Sequence, residues 1–80
     1  MTLREILAAN LTAIRNSAGL SQEDLAHRAG IDRTYVSALE RCRYAASVDI
    51  LERLATALNV NASELLRIDL APPAGLEPAP

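Results

Sequence analysis

Leu3, Ile6, Leu7, Leu11, Ile14 and Ala18 recur at intervals of three and four residues, so a helix gathers them on one face. Thr2 followed by Glu5 has the spacing of a capping box, and Gly19 stands where such a helix can end in a left-handed residue. A short second helix opens at Ser21, whose hydroxyl can accept from the backbone two or three residues on. Glu23 and Asp24 suit its positive end, Leu25, Ala26 and Ala29 lie on one side, and Gly30 closes it. Asp32 caps a third helix with Val36 and Leu39 inward and Thr34, Ser37 and Ala38 outward. Ser47 caps a fourth, with the stripe Val48, Leu51, Leu54, Ala55 and Leu58, in which Leu51 and Leu54 are expected core. Asn61 with Glu64 opens a fifth that contains Leu65 and Leu66. No strand alternation and no repeat occurs, so the expected fold is all-α, a compact five-helix domain over residues 1–70.

All four Pro (Pro72, Pro73, Pro78 and Pro80) fall after this pattern ends, and residues 71–80 have no hydrophobic period. They are expected to form a Pro-rich disordered tail. Eighty residues suffice for one small domain and exclude a two-domain enzyme. Half of the chain is hydrophobic, yet it has two Tyr and neither Phe nor Trp, so the core must be assembled from Leu, Ile, Val and Ala. A single Cys excludes an intramolecular disulfide framework and points to a reducing compartment. With no apolar run of membrane-spanning length and no signal-peptide pattern, the expected location is cytoplasmic, without a membrane partner. The net charge is −2 and all eight basic residues are Arg. Any binding to nucleic acid must therefore come from local charge.

Helices two and three are joined by a turn around Gly30-Ile31-Asp32, the length and chemistry of a helix-turn-helix rather than of an antiparallel hairpin. Ala26 is small enough for a close helix crossing, Gly30 supplies the positive φ, Ile31 plugs the core beneath the turn and Val36 anchors the third helix. The outer face of that helix keeps short or polar side chains, which fit a major groove.

The run GLSQEDLAHRAGIDRTYVSALERCRYAASVDILERLATALNV from Gly19 resembles the lambda-repressor-like, xenobiotic-response-element (XRE) family of bacterial helix-turn-helix regulators, a likeness that extends over roughly residues 3 to 68. It is carried by Gly19 to Gln22, Leu25-Ala26, Gly30, Ser37, Glu40-Arg41 and the helix with Leu54, Ala55 and Leu58. Within the family, the short chain and the run DRTYVS also resemble the controller proteins of restriction-modification systems, although unrelated small repressors share much of that run. The resemblance implies a sequence-specific transcriptional regulator, a repressor in many relatives, that binds a pseudo-palindromic double-stranded DNA operator as a homodimer with the helix at about 33–41 in the major groove.

Charge supports DNA binding independently. Residues 28 to 44 hold four Arg against two acids and contain both Tyr, whereas residues 45 to 80 carry a net −3. A local cationic excess can bind the backbone while the acidic remainder limits non-specific adhesion. The competing explanation is a solvated charged face.

Arg33, in the first turn of the third helix, can fork onto O6 and N7 of a guanine. Thr34 and Ser37 share its face and can meet a base edge or a thymine methyl, and Tyr35 can stack or touch phosphate; the alternative for each is plain solubility. The resemblance assigns Ser21 and Gln22, with their backbone N–H groups, to one phosphate and Arg43 and Tyr44 to another on the far side. It also pairs Arg15 with Glu40 in a structural salt bridge, though Arg15 can also reach the DNA backbone. Two positions depart from the family pattern. Cys42 stands where Gly is usual, and Ala46 where Pro commonly precedes the capping Ser, so a different loop path is expected. Cys42 between two Arg can be read as a redox sensor or as an inert small residue, and lone His27 as a solvated one.

Leu66, Ile68 and Leu70 cannot all reach one small core, which marks them as a dimer interface. A rival function is a protein-interaction module, such as an antitoxin-like or accessory subunit; the apolar end serves either, the Arg33-to-Arg43 surface only DNA binding. No catalytic constellation, metal-ligand set, cofactor motif or small-molecule site is evident, so no enzyme is expected.

Overall fold

In the computed structural model, which describes residues 1–68, five helices follow one another: α1 (Leu3–Ser17), α2 (Gln22–Ala29), α3 (Arg33–Glu40), α4 (Val48–Leu58) and α5 (Ala62–Leu65). No strand occurs among the described residues. Leu70 and residues 71–80 lie outside them.

Each boundary has a local cause. Thr2 and Glu5 close a reciprocal capping box, with Thr2 N donating to Glu5 Oε1 at 2.8 Å and Glu5 N to Thr2 Oγ1 at 3.2 Å. Ser21 and Asp24 repeat it on α2, and Ser47 accepts from Ile50 N at the start of α4. Asn61 occupies the N-cap of α5 but makes no side-chain capping bond, and that helix is only one turn long. Its position depends on tertiary partners.

Every helix contributes at least one side chain that is sealed from solvent: Leu11, Leu25, Val36 with Leu39, Leu54 and Leu65. Ala26, Ala29 and Ala55 are buried beside them, small enough to let α2 and α4 approach closely. Ala38, expected to face outward, is 7% exposed. The eight-residue α3 is wedged between α1 and α2, and burying two sides widens its inner stripe. The stripe of α4 begins later than its period implies, because Val48, first residue after the cap, projects past the end of the core and is 81% exposed. Leu51 is half-buried rather than core. At the ends of α1, Leu3 and Ala18 are likewise exposed.

Asn10 is 4% exposed, on the core face between Leu7 and Leu11. Its Nδ2 donates to Leu65 O at 2.9 Å and to Arg67 O at 2.8 Å, so one amide joins α1 to the C-terminal end of α5. The Leu65 carbonyl is one of those that a helix end leaves without backbone partners, and the Arg67 carbonyl lies just past the C-cap.

A second polar joint fixes α3. Arg15 Nε donates to Glu40 Oε2 at 2.6 Å and Nη2 to Oε1 at 3.0 Å, while Nη1 reaches Leu20 O at 2.7 Å. Gln22 Nε2 donates to the same Oε1 at 3.0 Å. The two charged side chains are only 12% and 6% exposed. Burial pushes the Glu40 carboxyl up, but the hydrogen bonds from Arg15 and Gln22 outweigh it and hold the acid below the ordinary carboxylate range. The bond to Glu40 in turn raises Arg15 against the opposing effect of burial.

Two outcomes are expected. Leu54→Ala lowers unfolding stability by about 2–5 kcal/mol, whereas Val48→Ala changes it by less than about 0.5 kcal/mol. Circular-dichroism melts check the contrast, and equal shifts would contradict the placement of α4. A carboxyl depressed in the folded state stabilises above its unfolded pKa, and that contribution is lost as pH falls through the folded value. Denaturant titrations from neutral to acid should therefore show a shallower stability loss in Glu40→Gln than in the wild type; parallel pH profiles would show that the Arg15 contact contributes no such linkage.

Candidate nucleic-acid interface

Three residues, Gly30, Ile31 and Asp32, separate α2 from α3. Gly30 takes φ +71°, and the Ile31 N–H returns to Ala26 O at 3.0 Å to close the C-terminus of α2. A Cβ built at Gly30 would meet only Arg53 Nη1, at an ordinary 3.6 Å, so the backbone angle rather than crowding demands glycine there. Arg53 Nη1 donates to Gly30 O at 3.3 Å, placing a cation over the negative end of α2. Ile31 is half-buried against the core, as a plug beneath the turn should be.

Asp32 then starts α3. Its Oδ1 accepts from Thr34 N at 2.9 Å and from Thr34 Oγ1 at 2.8 Å; the backbone bond first and the hydroxyl second hold its carboxyl below the usual range. Asp24 is lowered in the same manner by the Ser21 backbone and hydroxyl, with a smaller contribution from Arg28. Both acids therefore remain ionised as caps at neutral pH.

Arg33 and Thr34 are exposed in the first turn of α3, and Ser37, one turn on, is half-buried at the same face. Thr34 presents its methyl more freely than its hydroxyl, which Asp32 already engages. Tyr35 packs partly against the core and meets Tyr44 edge to face, with ring centroids 5.9 Å apart at 72°. This pair braces the segment after α3, where Arg41, Arg43 and Tyr44 are exposed. Cys42 adopts φ +62° and Arg43 N returns to Ala38 O at 2.8 Å, a left-handed turn of the kind that ordinarily favours Gly. That conformation costs a non-glycine residue about 1–2 kcal/mol.

Gln22, the first residue of α2 beside exposed Ser21, turns its amide nitrogen inward to Glu40, so one of its N–H groups supports the Arg15 joint. His27 is exposed. The bonds of Gln22 and Asn10 and the cap from Arg53 were missed in the sequence, because each connects elements far apart along the chain.

Of the residues assigned to an interface between copies, Ile68 is 77% exposed, Leu66 is half-buried against the core, and Leu70 lies outside the described residues. Leu66 also lines a groove of about 310 Å³ with Leu3, Leu7, Ala46 and Leu51. Among the described residues no cluster of three His, Cys, Asp or Glu side chains can hold a metal ion. No described helix is long and apolar enough to cross a membrane.

A helix-turn-helix family model matches residues 11–65, spanning all of α2, α3 and α4. The Neisseria hypothetical transcription factor of Neisseria meningitidis serogroup B is 48% identical over 64 residues, covering 80% of this chain and 60% of that protein's length. Control protein C.SmaI of Serratia marcescens is 42% identical over 66 residues, 82% of this chain and 79% of that one. The crystal structure of the restriction-modification controller protein C.AhdI from Aeromonas hydrophila superposes with a TM-score of 0.76 at 39% identity, covering 78% of this chain and 94% of that chain. With the family match spanning the turn, both helices around it and most of the core, the chain belongs to the helix-turn-helix family, of XRE type.

Proposed function

We propose that this chain is a sequence-specific transcriptional regulator that binds a pseudo-palindromic operator as a homodimer, with α3 in the major groove. The observation that carries this reading is the outer face of α3. Arg33, Thr34 and Ser37 line it, while Glu40 at its end is held by Arg15, so base-reading groups stand on an element whose pose is fixed from behind. Relatives named as a transcription factor and a control protein support it.

In this account Arg33 forks onto a guanine edge, and Thr34 and Ser37 contribute contacts to a thymine methyl or a base edge. Tyr35 acts from the margin of the same face, next to Tyr44. Arg43 and Tyr44 grip phosphate beyond α3, and Ser21 with the N-terminal N–H groups of α2 grips another, helped by the free amide hydrogen of Gln22. The apolar run of Leu66, Ile68 and Leu70 joins two copies. The domain spans residues 1–70, the Pro-rich remainder forms a tail, and the regulator works in the cytoplasm without enzymatic activity.

Arg33→Ala should lose about 1–3 kcal/mol for the selected operator and relax preference at one base position. Arg43→Ala should instead weaken all sequences together and reduce the slope of log affinity against log salt by about 1. Site selection from a random duplex pool followed by salt-titrated gel shifts measures both. An Arg33 variant that recovers the wild-type consensus at full affinity would overturn the assignment of α3. A wild type that retains no duplex would favour the protein-interaction module.

A further inference from the structure

Asn10 and Arg15 lie on one unbroken helix, about 7.5 Å apart along its axis, and each makes a polar joint to a different functional part. Arg15 holds Glu40, the last residue of α3. Asn10 uses both hydrogens of its buried amide on Leu65 O and Arg67 O, the carbonyls on either side of Leu66, the second of them immediately before Ile68. Leu65 seats α5 in the core, since it is fully buried, and Leu66 packs partly against it. These contacts, with the exposed Glu64–Arg67 ion pair at 3.1 Å, leave the direction of the chain's exit weakly held, because a one-turn helix without a side-chain N-cap has few restraints of its own. Removing the amide would loosen that exit and leave the buried Leu65 carbonyl without its side-chain partner.

We infer that Asn10 is a positioning residue for half-site spacing: through α1 it fixes the angle between the recognition helix and the apolar exit segment. The inference rests on the reading of the chain as a DNA-binding homodimer joined after α5. In a two-fold dimer, the placement of the joining surface relative to α3 sets the separation and phase of the two recognition helices. One added base pair rotates a half-site by about 35°, so a rigid frame discriminates strongly against it and a loose one does not. Because α1 carries both joints, the protein reads spacing with a helix that need not touch a base.

The test uses the full chain and palindromic duplexes recovered by the wild type from a random pool. Derivatives have one base pair inserted or removed between the half-sites, and a further duplex keeps a single half-site. Dissociation constants are measured for the wild type, Asn10→Ser and Asn10→Leu, with helicity checked by circular dichroism. The wild type should prefer its selected spacing by about tenfold or more, and the variants should lose at least about threefold of that preference while matching wild-type affinity for the single half-site. Variants that keep the wild-type spacing ratio would overturn the role of Asn10 and leave the homodimer standing. Losses of the same proportion on the single half-site would reduce Asn10 to general support of the fold and also overturn it. A wild type indifferent to spacing would remove the homodimer, and this inference with it. Should both variants be unfolded, the Asn10 side-chain amide protons of the wild-type operator complex decide by NMR: protection from exchange supports the joint, and free exchange overturns it.

Discussion

The guanidinium of Arg15 and the carboxylate of Glu40 meet in a two-point, directional contact at the back of α3, and the exposed face of that helix depends on it. An eight-residue helix has little stability alone and can slide or rotate on an apolar bed, since hydrophobic contact has no direction. A forked hydrogen-bond pair supplies the missing orientation. Taking both charges out of water cancels much of their attraction, so the pair contributes geometry more than net stability. Gln22 and the Leu20 carbonyl complete the polar shell around it, which ties the start of α2 to the end of α3.

From that joint outward, the chain divides its work between a rigid rear and a soluble front. Five helices each bury at least one large aliphatic side chain, and alanines let α2 and α4 approach. The front of α3 retains Arg33, Thr34 and Ser37, and cationic or aromatic side chains follow at Arg41, Arg43 and Tyr44. The negative net charge of the whole chain does not oppose this arrangement, because Asp24 and Asp32 serve as caps, Glu40 is the buried partner of Arg15, and residues 28–44 keep an excess of Arg. In the proposed role, backbone affinity would come from this local field rather than from the net charge, which limits non-specific adhesion.

Features whose cause is local were legible in the amino-acid order. The caps at Thr2, Ser21, Asp32 and Ser47, the left-handed Gly30 and the 3.6-residue periods all act within a few residues of one another. Features set by packing were less so. Ala38 is as short as an outward residue should be, and only the position of α3 between α1 and α2 buries it. Val48 continues a valid apolar period, but the core ends before it. Asn10 did leave a signal, an amide on an otherwise apolar stripe. Its acceptors lie 55 and 57 positions away, a relation that no periodicity encodes. At the candidate site, Arg15 and Glu40 were paired through family resemblance, whereas the inward turn of Gln22 was not foreseen, since first-turn polar residues ordinarily face solvent. Cys42 shows the converse: it takes a left-handed conformation that its residue type does not announce.

In the proposed role Glu40 serves DNA recognition by holding α3, and the sign of one effect separates that from simple electrostatics. Glu40→Ala removes a negative charge near a DNA-binding face, so charge alone would raise affinity for every duplex. The measurement is the ratio of affinities for the selected operator and for a scrambled duplex, at one stated salt concentration, with helicity confirmed. If α3 depends on the joint, the ratio falls by about tenfold, equivalent to about 1.4 kcal/mol, while scrambled-duplex affinity holds or rises. An unchanged ratio, with both affinities raised together, would contradict the account.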